Sequence, residues 1–212
     1  YRPVEFAQGS GDNVLLGLSA KVELDHDVTL YSQLYLDEFL IDELRRRRGW
    51  WANKFAIQVG AKAYDVAGKH INLLTEVNVV RPFTYTHGSV VQSYGHLNQS
   101  LAHPLGTNFF EWVSKFEKVH QRMTYRADLV LAYYGKDKDG LNYGADVFTS
   151  YRNPSSLFGN TIGQGRKNNL YLLRLGADRT LGTKYPVTIG AELGLRYLHN
   201  QLDNPLDGWM MI

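Results

Sequence analysis

Asn13-Val14-Leu15-Leu16-Gly17-Leu18-Ser19-Ala20-Lys21-Val22-Glu23-Leu24 alternates, and the period of that alternation decides the fold. Val14, Leu16, Leu18, Ala20, Val22 and Leu24 are apolar. Gly17, Ser19, Lys21 and Glu23 fall between them, and Leu15 is the one apolar residue on that second face. A period of two over about 11 residues is a strand with two unlike faces. The pattern recurs. Val28, Leu30, Ser32, Leu34 and Leu36 oppose Thr29, Tyr31, Gln33, Tyr35 and Asp37. Phe55, Ile57, Val59, Ala61 and Ala63 oppose Lys54, Ala56, Gln58, Gly60, Lys62 and Tyr64. Ile71, Leu73, Thr75, Val77 and Val79 oppose Asn72, Leu74, Glu76 and Asn78. Similar alternation over 110–117, 122–133, 171–178 and 187–197 brings the reading to eight strands, with 209–212 opening a ninth.

Composition alone points elsewhere. The 212 residues carry a net charge of +2, with 44% hydrophobic and 21% charged side chains, which excludes a disordered tail. The length allows one large domain or two small ones. The absence of cysteine excludes thiolate metal sites, disulfides and thiol nucleophiles. No run approaches the roughly 18 apolar residues of a spanning helix. No basic stretch followed by an apolar core opens the chain, so any signal peptide is expected to have been removed. These sums describe a soluble protein, but they average two faces that the alternation separates.

Alternation also occurs in sandwiches, and two further features argue for a membrane barrel. The strands run to about 10–13 residues against a usual mode of about 5–6, and a tilted transmembrane strand needs about 9–11. The connections alternate in length: 25–27, 65–70, 120–121 and 181–186 are short, whereas 38–50, 81–109, 135–168 and 199–208 are long. Tight turns at one end and long loops at the other are the pattern of outer-membrane barrels. Lys21, Glu23, Lys54, Lys62, Glu76, Lys115, Arg126, Asp128, Arg174, Glu192 and Arg196 all sit on the second face. A charge facing lipid at mid-bilayer costs roughly 2–4 kcal/mol, so the clean face is expected outward and the charged face inward, with opposite charges pairing across strands. Trp50, Trp51, Trp112, Tyr133, Tyr134, Tyr197 and Trp209 lie near strand ends, where interfacial girdles place aromatics. The expected fold is all-β, a transmembrane antiparallel outer-membrane β-barrel of a Gram-negative bacterium, with residues 1–212 one part of it. With the long loops outside, the first strand descends, so an odd number of strands is expected before it; 209–212 likewise opens a descending strand.

Several motifs resemble the Wzi-type capsule assembly proteins, in particular a Bacteroidetes branch that includes gliding-motility-associated outer-membrane proteins. They are Arg2-Pro3-Val4-Glu5, Gly9-Ser10, Asn13 to Leu18, Leu36-Asp37-Glu38-Phe39, Gly49-Trp50-Trp51-Ala52-Asn53-Lys54 and Arg81-Pro82-Phe83-Thr84-Tyr85-Thr86-His87. The most specific is Tyr94-Gly95-His96-Leu97-Asn98-Gln99-Ser100-Leu101-Ala102-His103-Pro104-Leu105-Gly106; Asn142-Tyr143-Gly144 and Gly163-Gln164-Gly165 extend the likeness. The resemblance covers essentially the whole chain. It implies the carboxyl-terminal part of a barrel of about 18 strands, within the range such barrels span, and a surface role in anchoring or organising capsular polysaccharide.

Two segments carry candidate binding chemistry. Arg45-Arg46-Arg47-Arg48 follows Leu40-Ile41-Asp42-Glu43-Leu44, a candidate short helix in an external loop. Guanidinium groups bind phosphate and carboxylate bidentately, so this run is a candidate grip on lipopolysaccharide or an acidic polysaccharide; a solvated charged loop is the plainer alternative. The 81–109 loop carries no charge after Arg81 but holds Tyr85, His87, Tyr94, His96, Asn98, Gln99 and His103. Its histidine spacing does not suit zinc. Aromatic faces beside neutral hydrogen-bonding groups suit a sugar, or a plug that folds inward and satisfies its own polar groups; partner docking is a third use. Ala102-His103-Pro104-Leu105-Gly106 reads as a rigid turn.

Elsewhere the chemistry is sparse. Asp137-Lys138-Asp139-Gly140 lacks the terminal acidic ligand of a calcium loop, and 142–151 is a candidate hairpin. Gly163-Gln164-Gly165 is no phosphate loop, and no nucleophile elbow occurs. Glu76 with Glu192, or Glu111 with Glu117, are candidate carboxylate pairs with no placed substrate; interior ion pairing explains them better. No catalytic residue, metal, cofactor or nucleic-acid partner is expected. The leading expectation is a non-enzymatic barrel attaching capsule or exopolysaccharide. An accessory barrel contacting other outer-membrane proteins in a secretion, gliding or insertion machine is the alternative, and a passive porin is the third.

Overall fold

Backbone amides in strands of this length need partners on both sides, and here they find them in one antiparallel sheet. The structure, a computed structural model, describes residues 14–24, 27–97, 99–182 and 186–200, and the backbone of 208–211. Its sheet contains β1 (Leu16–Leu24), β2 (Val28–Leu36), β3 (Phe55–Ala63), β4 (Ile71–Val80), β7 (Phe109–His120), β8 (Met123–Lys136), β9 (Arg166–Leu181), β10 (Val187–Asn200) and β11 (Gly208–Met211). They are hydrogen-bonded in that order, each to its sequence neighbour in the sheet. β5 (Gly95–His96) and β6 (Gln99–Ser100) form a separate two-stranded ladder within the second long loop. The large sheet is open, with β1 and β11 as its edges. Among the described residues, no helix is long and apolar enough to cross a membrane.

The eight expected strands and the short ninth all occur, and β9 starts earlier than its clear alternation, at Arg166. Helix Ile41–Arg45 forms where a short helix is expected. The expected hairpin at 142–151 does not form: there are only isolated bridges at Lys138–Leu141 and Asn142–Pro154. Polar groups there turn to local and cross-loop partners instead. Asp137 accepts from Tyr143 N at 2.7 Å, Asp146 accepts from Phe148 N at 3.0 Å, and Asn142 donates to Ser150 O at 2.8 Å. Expectations for 1–13, for 201–207, for Ile212 and the Trp209 side chain, and for part of the turns 25–27 and 181–186 lie outside the described residues.

Register carries the two-faced pattern across the sheet. Leu18 pairs with Leu34, Leu34 with Ile57, Ile57 with Val79, and Val79 with Phe110. Phe110 pairs with Tyr133, while Leu129 pairs with Leu173 and Leu173 with Leu195. The first face is therefore predominantly apolar, interrupted by Ser32, Thr75 and Ser114 and, near the tight turns, by Lys118 and Arg179. Much of it is exposed, including Leu18, Leu30, Val59, Trp112, Leu175 and Ile189. Trp112 satisfies its indole N–H on Thr75 Oγ1 of the same face, at 2.8 Å.

The second face behaves differently at its two ends. Toward the tight turns it is charged, and Arg126 pairs with Asp178 at 2.5 Å and Arg174 with Asp128 at 3.3 Å across β8 and β9. Toward the long loops it holds the core: Ala56, Val80, Phe109, Ala132 and Tyr134 cluster with Tyr85 and Val147 from the loops. Two expected girdle aromatics belong to this inner packing instead. Tyr134 is buried in the core, and Trp51 packs on Phe83 (5.6 Å) and Tyr151 (5.0 Å). Strand parity turns Tyr134 inward, opposite Phe109, while its neighbour Tyr133 pairs with Phe110 on the first face.

Gly60 lets the inner face close up. It is paired with Tyr31, and a Cβ at this position would overlap the Tyr31 ring. The ring lies over the glycine and sends its hydroxyl to Glu76 Oε2 at 2.6 Å. Gly60→Val is expected to cost about 1–3 kcal/mol through overpacking. Combined with Tyr31→Ala it should cost clearly less than the sum of the single losses, as measured by denaturant unfolding. Additive losses would show that the two residues do not share this space.

Candidate functional site

The three described long loops meet at Lys54. Backbone pairing continues past the ends of β2 and β3, with Asp37 N donating to Lys54 O (3.1 Å) and Lys54 N to Glu38 O (2.8 Å). This carries the Lys54 side chain beneath the loops, where it is fully buried. An ammonium stripped of water costs several kcal/mol unless its charge and protons are matched. Lys54 Nζ lies 3.5 Å from Asp37 Oδ2 and 3.4 Å from Glu38 Oε1 in the first loop. It donates to Thr86 O of the second loop at 3.1 Å and sits 4.3 Å from the Tyr151 ring centroid of the third. Asp37 Oδ2 also accepts the Tyr85 N–H at 3.2 Å. Burial pushes the Asp37 carboxyl up against the pull of Lys54, and burial also raises the phenols of Tyr85 and Tyr151.

A second anchor is Asn108, fully buried at a positive φ of 62°. Its Oδ1 accepts from Gly163 N (2.7 Å) and Gln164 N (3.2 Å), while its Nδ2 donates to Gln164 O (2.9 Å). The amide thereby ties the third loop to the start of β7. Thr107 Oγ1 and Phe83 N both donate to Gly144 O, joining the second and third loops again.

Between the second loop and the inner face lies a cavity of about 260 Å³. Tyr85 and Tyr94 stack at 5.4 Å with an interplanar angle of 29°, and His103 lies against Phe109 at 4.6 Å. Gln33, Gln58 and Asn78 from the strands complete the polar lining. Below it runs a hydrogen-bonded series. Gln58 donates to Asn78 (3.0 Å), and Asn78 donates to Glu76 (2.8 Å) and Glu111 (3.1 Å). His103 Nε2 lies 3.1 Å from Glu111 Oε2, while its Nδ1 accepts Leu105 N–H at 3.2 Å. Those two partners assign the neutral tautomer with its proton on Nε2. Glu117 accepts from Asn72 at 2.9 Å. Glu76, Glu111 and Glu117 therefore serve amides, a tyrosine and a histidine, with no carboxylate pair among these contacts.

The expected site residues separate into groups. Tyr85, Tyr94 and His103 line the cavity. His87 packs on Tyr151 at 5.3 Å, with its buried Nδ1 lacking a hydrogen-bond partner. His96 and Gln99 face each other in the β5–β6 ladder, exposed and away from the cavity lining. Asn98 lies outside the described residues. The turn at 102–106 forms, closed by Gly106 N donating to His103 O at 2.7 Å. The four arginines do not act as one group: Arg48 is held on Glu43 (2.6 Å) and over the Phe158 ring (4.6 Å), and Arg46 lies 3.7 Å from Glu43. Arg45 and Arg47 have no ion pair among the described residues and are exposed.

Sequence reasoning placed Lys54 among the inner charges without singling it out, and passed over Asn108, Arg81 and the strand amides. Asn108 had one usable signal, a polar residue tolerant of positive φ immediately before a strand. No group of three or more metal-ligating side chains occurs among the described residues. Comparison with protein-family models, curated proteins and solved structures finds no match.

Removing the Lys54 ammonium leaves two carboxylates facing each other without their cation. Lys54→Met is expected to cost about 3–5 kcal/mol, the usual penalty for deleting one partner of a buried pair. It should also open all three loops to limited proteolysis at once. Cleavage confined to the first loop would contradict the shared anchor.

Proposed function

We propose that this sheet is wall from an outer-membrane β-barrel of a Gram-negative bacterium, and that its loop end faces outward as a non-enzymatic surface for capsular or exopolysaccharide. The observation that carries the membrane reading is the exposed, predominantly apolar face that runs through every strand pairing from β1 to β10. Water offers no reason to leave Val59 54% and Ile189 60% exposed on so broad an apolar surface, whereas hydrocarbon does. The charged residues on that face near the strand ends, Lys118 and Arg179, lie close to the tight turns, where headgroups and water would meet them. Lipid and lipopolysaccharide are then its surroundings, and the resemblance to capsule assembly proteins supplies the family context.

The carbohydrate reading rests on the Tyr85–Tyr94 stack beside the neutral amides Gln33, Gln58 and Asn78. Aromatic faces cover the apolar faces of a pyranose, and amides match its hydroxyls. The carboxylates' commitment to internal hydrogen bonds supports a binding role without catalysis. A second reading, an accessory barrel docked to other outer-membrane proteins, is favoured by Val91 and Leu97 at the second loop, 90% and 84% exposed. Packing of that loop against the inner face argues against the passive porin.

Val59→Arg separates membrane from water. In a membrane wall it is expected to cost roughly 2–4 kcal/mol and to reduce insertion into bilayers. At an exposed position in water the change should stay within about 0.5 kcal/mol. Lys62→Leu, on the opposite face of the same strand, should leave insertion intact. For the carbohydrate role, Tyr94→Ala in cells should reduce capsular polysaccharide retention by several-fold, by loss of one stacking face. Unchanged retention with normal surface levels would remove this reading, and stoichiometric co-purification with other outer-membrane proteins would favour the second.

A further inference from the structure

A separate cavity of about 280 Å³ lies where the first loop, the third loop and Arg81 meet. Its polar groups are unusual in sign. Arg81, Arg47 and Arg48 line it, together with Asn53, Thr161 and the carboxylate of Glu43. Glu43 is committed to Arg48, which meets both of its oxygens at 2.6 and 2.8 Å. Two guanidiniums then remain without an anion. Arg81 donates Nε to Asn53 O (2.8 Å) and Nη2 to Trp50 O (3.2 Å) and lies 5.6 Å from the Phe55 ring centroid, with no hydrogen bond from Nη1 among the described residues. It is half-buried, and that burial pulls its pKa below the usual arginine range. Arg47 is held at φ 53° by its N–H on Leu44 O, at 3.0 Å.

Asn53 adds an oriented neutral donor. The residue is only 3% exposed, and its Oδ1 accepts Leu40 N–H at 2.8 Å, which assigns the amide. Its Nδ2 has no hydrogen-bond partner among the described residues. The uncommitted side-chain groups around this space are thus dominated by donors, two of them cationic, and the only carboxylate is already neutralised. A half-buried guanidinium with no counter-charge is costly by itself, and an anion would offset that cost. The volume sits just below the range of about 300–1,000 Å³ typical of small-molecule pockets, which suits one compact charged group.

We infer that this cavity is a binding site for a phosphate-class oxyanion, with Arg81 and Asn53 as its fixed donors and Arg47 as its exposed clamp. The inference stands apart from the carbohydrate cavity and does not require the membrane reading. The phosphate group has two sources, free phosphate or a phosphorylated lipopolysaccharide, and the experiment separates them. Isothermal titration of the full chain with inorganic phosphate should give saturable binding. Arg47→Gln should weaken it about tenfold, the loss expected for one charge-assisted contact. Lys69→Gln, which removes the same charge from an exposed tight turn, should change it less than twofold. Because Arg81 also holds two loop carbonyls, Arg47 rather than Arg81 is the variant of choice. Lipopolysaccharide and its dephosphorylated form are titrated alongside. Binding of phosphate and of phosphorylated lipopolysaccharide, both sensitive to Arg47→Gln, would support a lipid source; binding of phosphate alone would support the site with free phosphate as its ligand. No saturable phosphate binding, or equal losses in Arg47→Gln and Lys69→Gln, would overturn the site while leaving the test at Val59 untouched.

Discussion

A single buried ammonium organises the loop end of this protein. Lys54 cannot be hydrated where it lies, so its protons and charge must be matched by protein, and the groups that match it come from three different loops. Each loop is long enough to sample many conformations, and closing it costs entropy that grows slowly with length. A shared electrostatic anchor restricts all three together. The cavities described above are the space left between loops held this way.

The sheet beneath has a division of labour between faces. One is predominantly apolar across the sheet; the other is charged toward the tight turns and packed with loop residues toward the long connections. The inner face therefore does what the core does in a soluble protein, but only over half its length. Elsewhere it relies on cross-strand ion pairs and amide networks such as Tyr31–Glu76–Asn78–Glu111. Such a network directs side chains more strictly than apolar packing, because each donor has few geometrically acceptable partners.

Much of this was legible in the residues. Alternation located the strands to within a few positions, since a one-residue slip would turn an entire face over. Helix Ile41–Arg45 and the turn closed at Gly106 were legible from local chemistry. The third loop was not: a hairpin was expected at 142–151, but Asp137 and Asn142 offer side-chain hydrogen bonds that compete with a ladder. The arginine run carries two readings in sequence, an anion grip or a solvated charged loop, and the structure shows Glu43 taking Arg48 out of any such group. Arg81, the better-buried cation, stands in the sequence as the residue opening a loop and a motif, with nothing local to mark it as a cavity donor.

What the sequence determined by itself is the sheet: strand positions, the face each side chain takes, and the alternation of short and long connections. These follow from period two and from local turn chemistry, both of which are written within a few residues of chain. Only the tertiary structure decided which polar residues converge, because Lys54 meets Thr86 and Tyr151, and Asn108 meets Gly163 and Gln164, across separations that no local pattern encodes. Such meetings depend on how loops fold over a face, and that is set by the cost of leaving a buried donor, acceptor or charge unmatched.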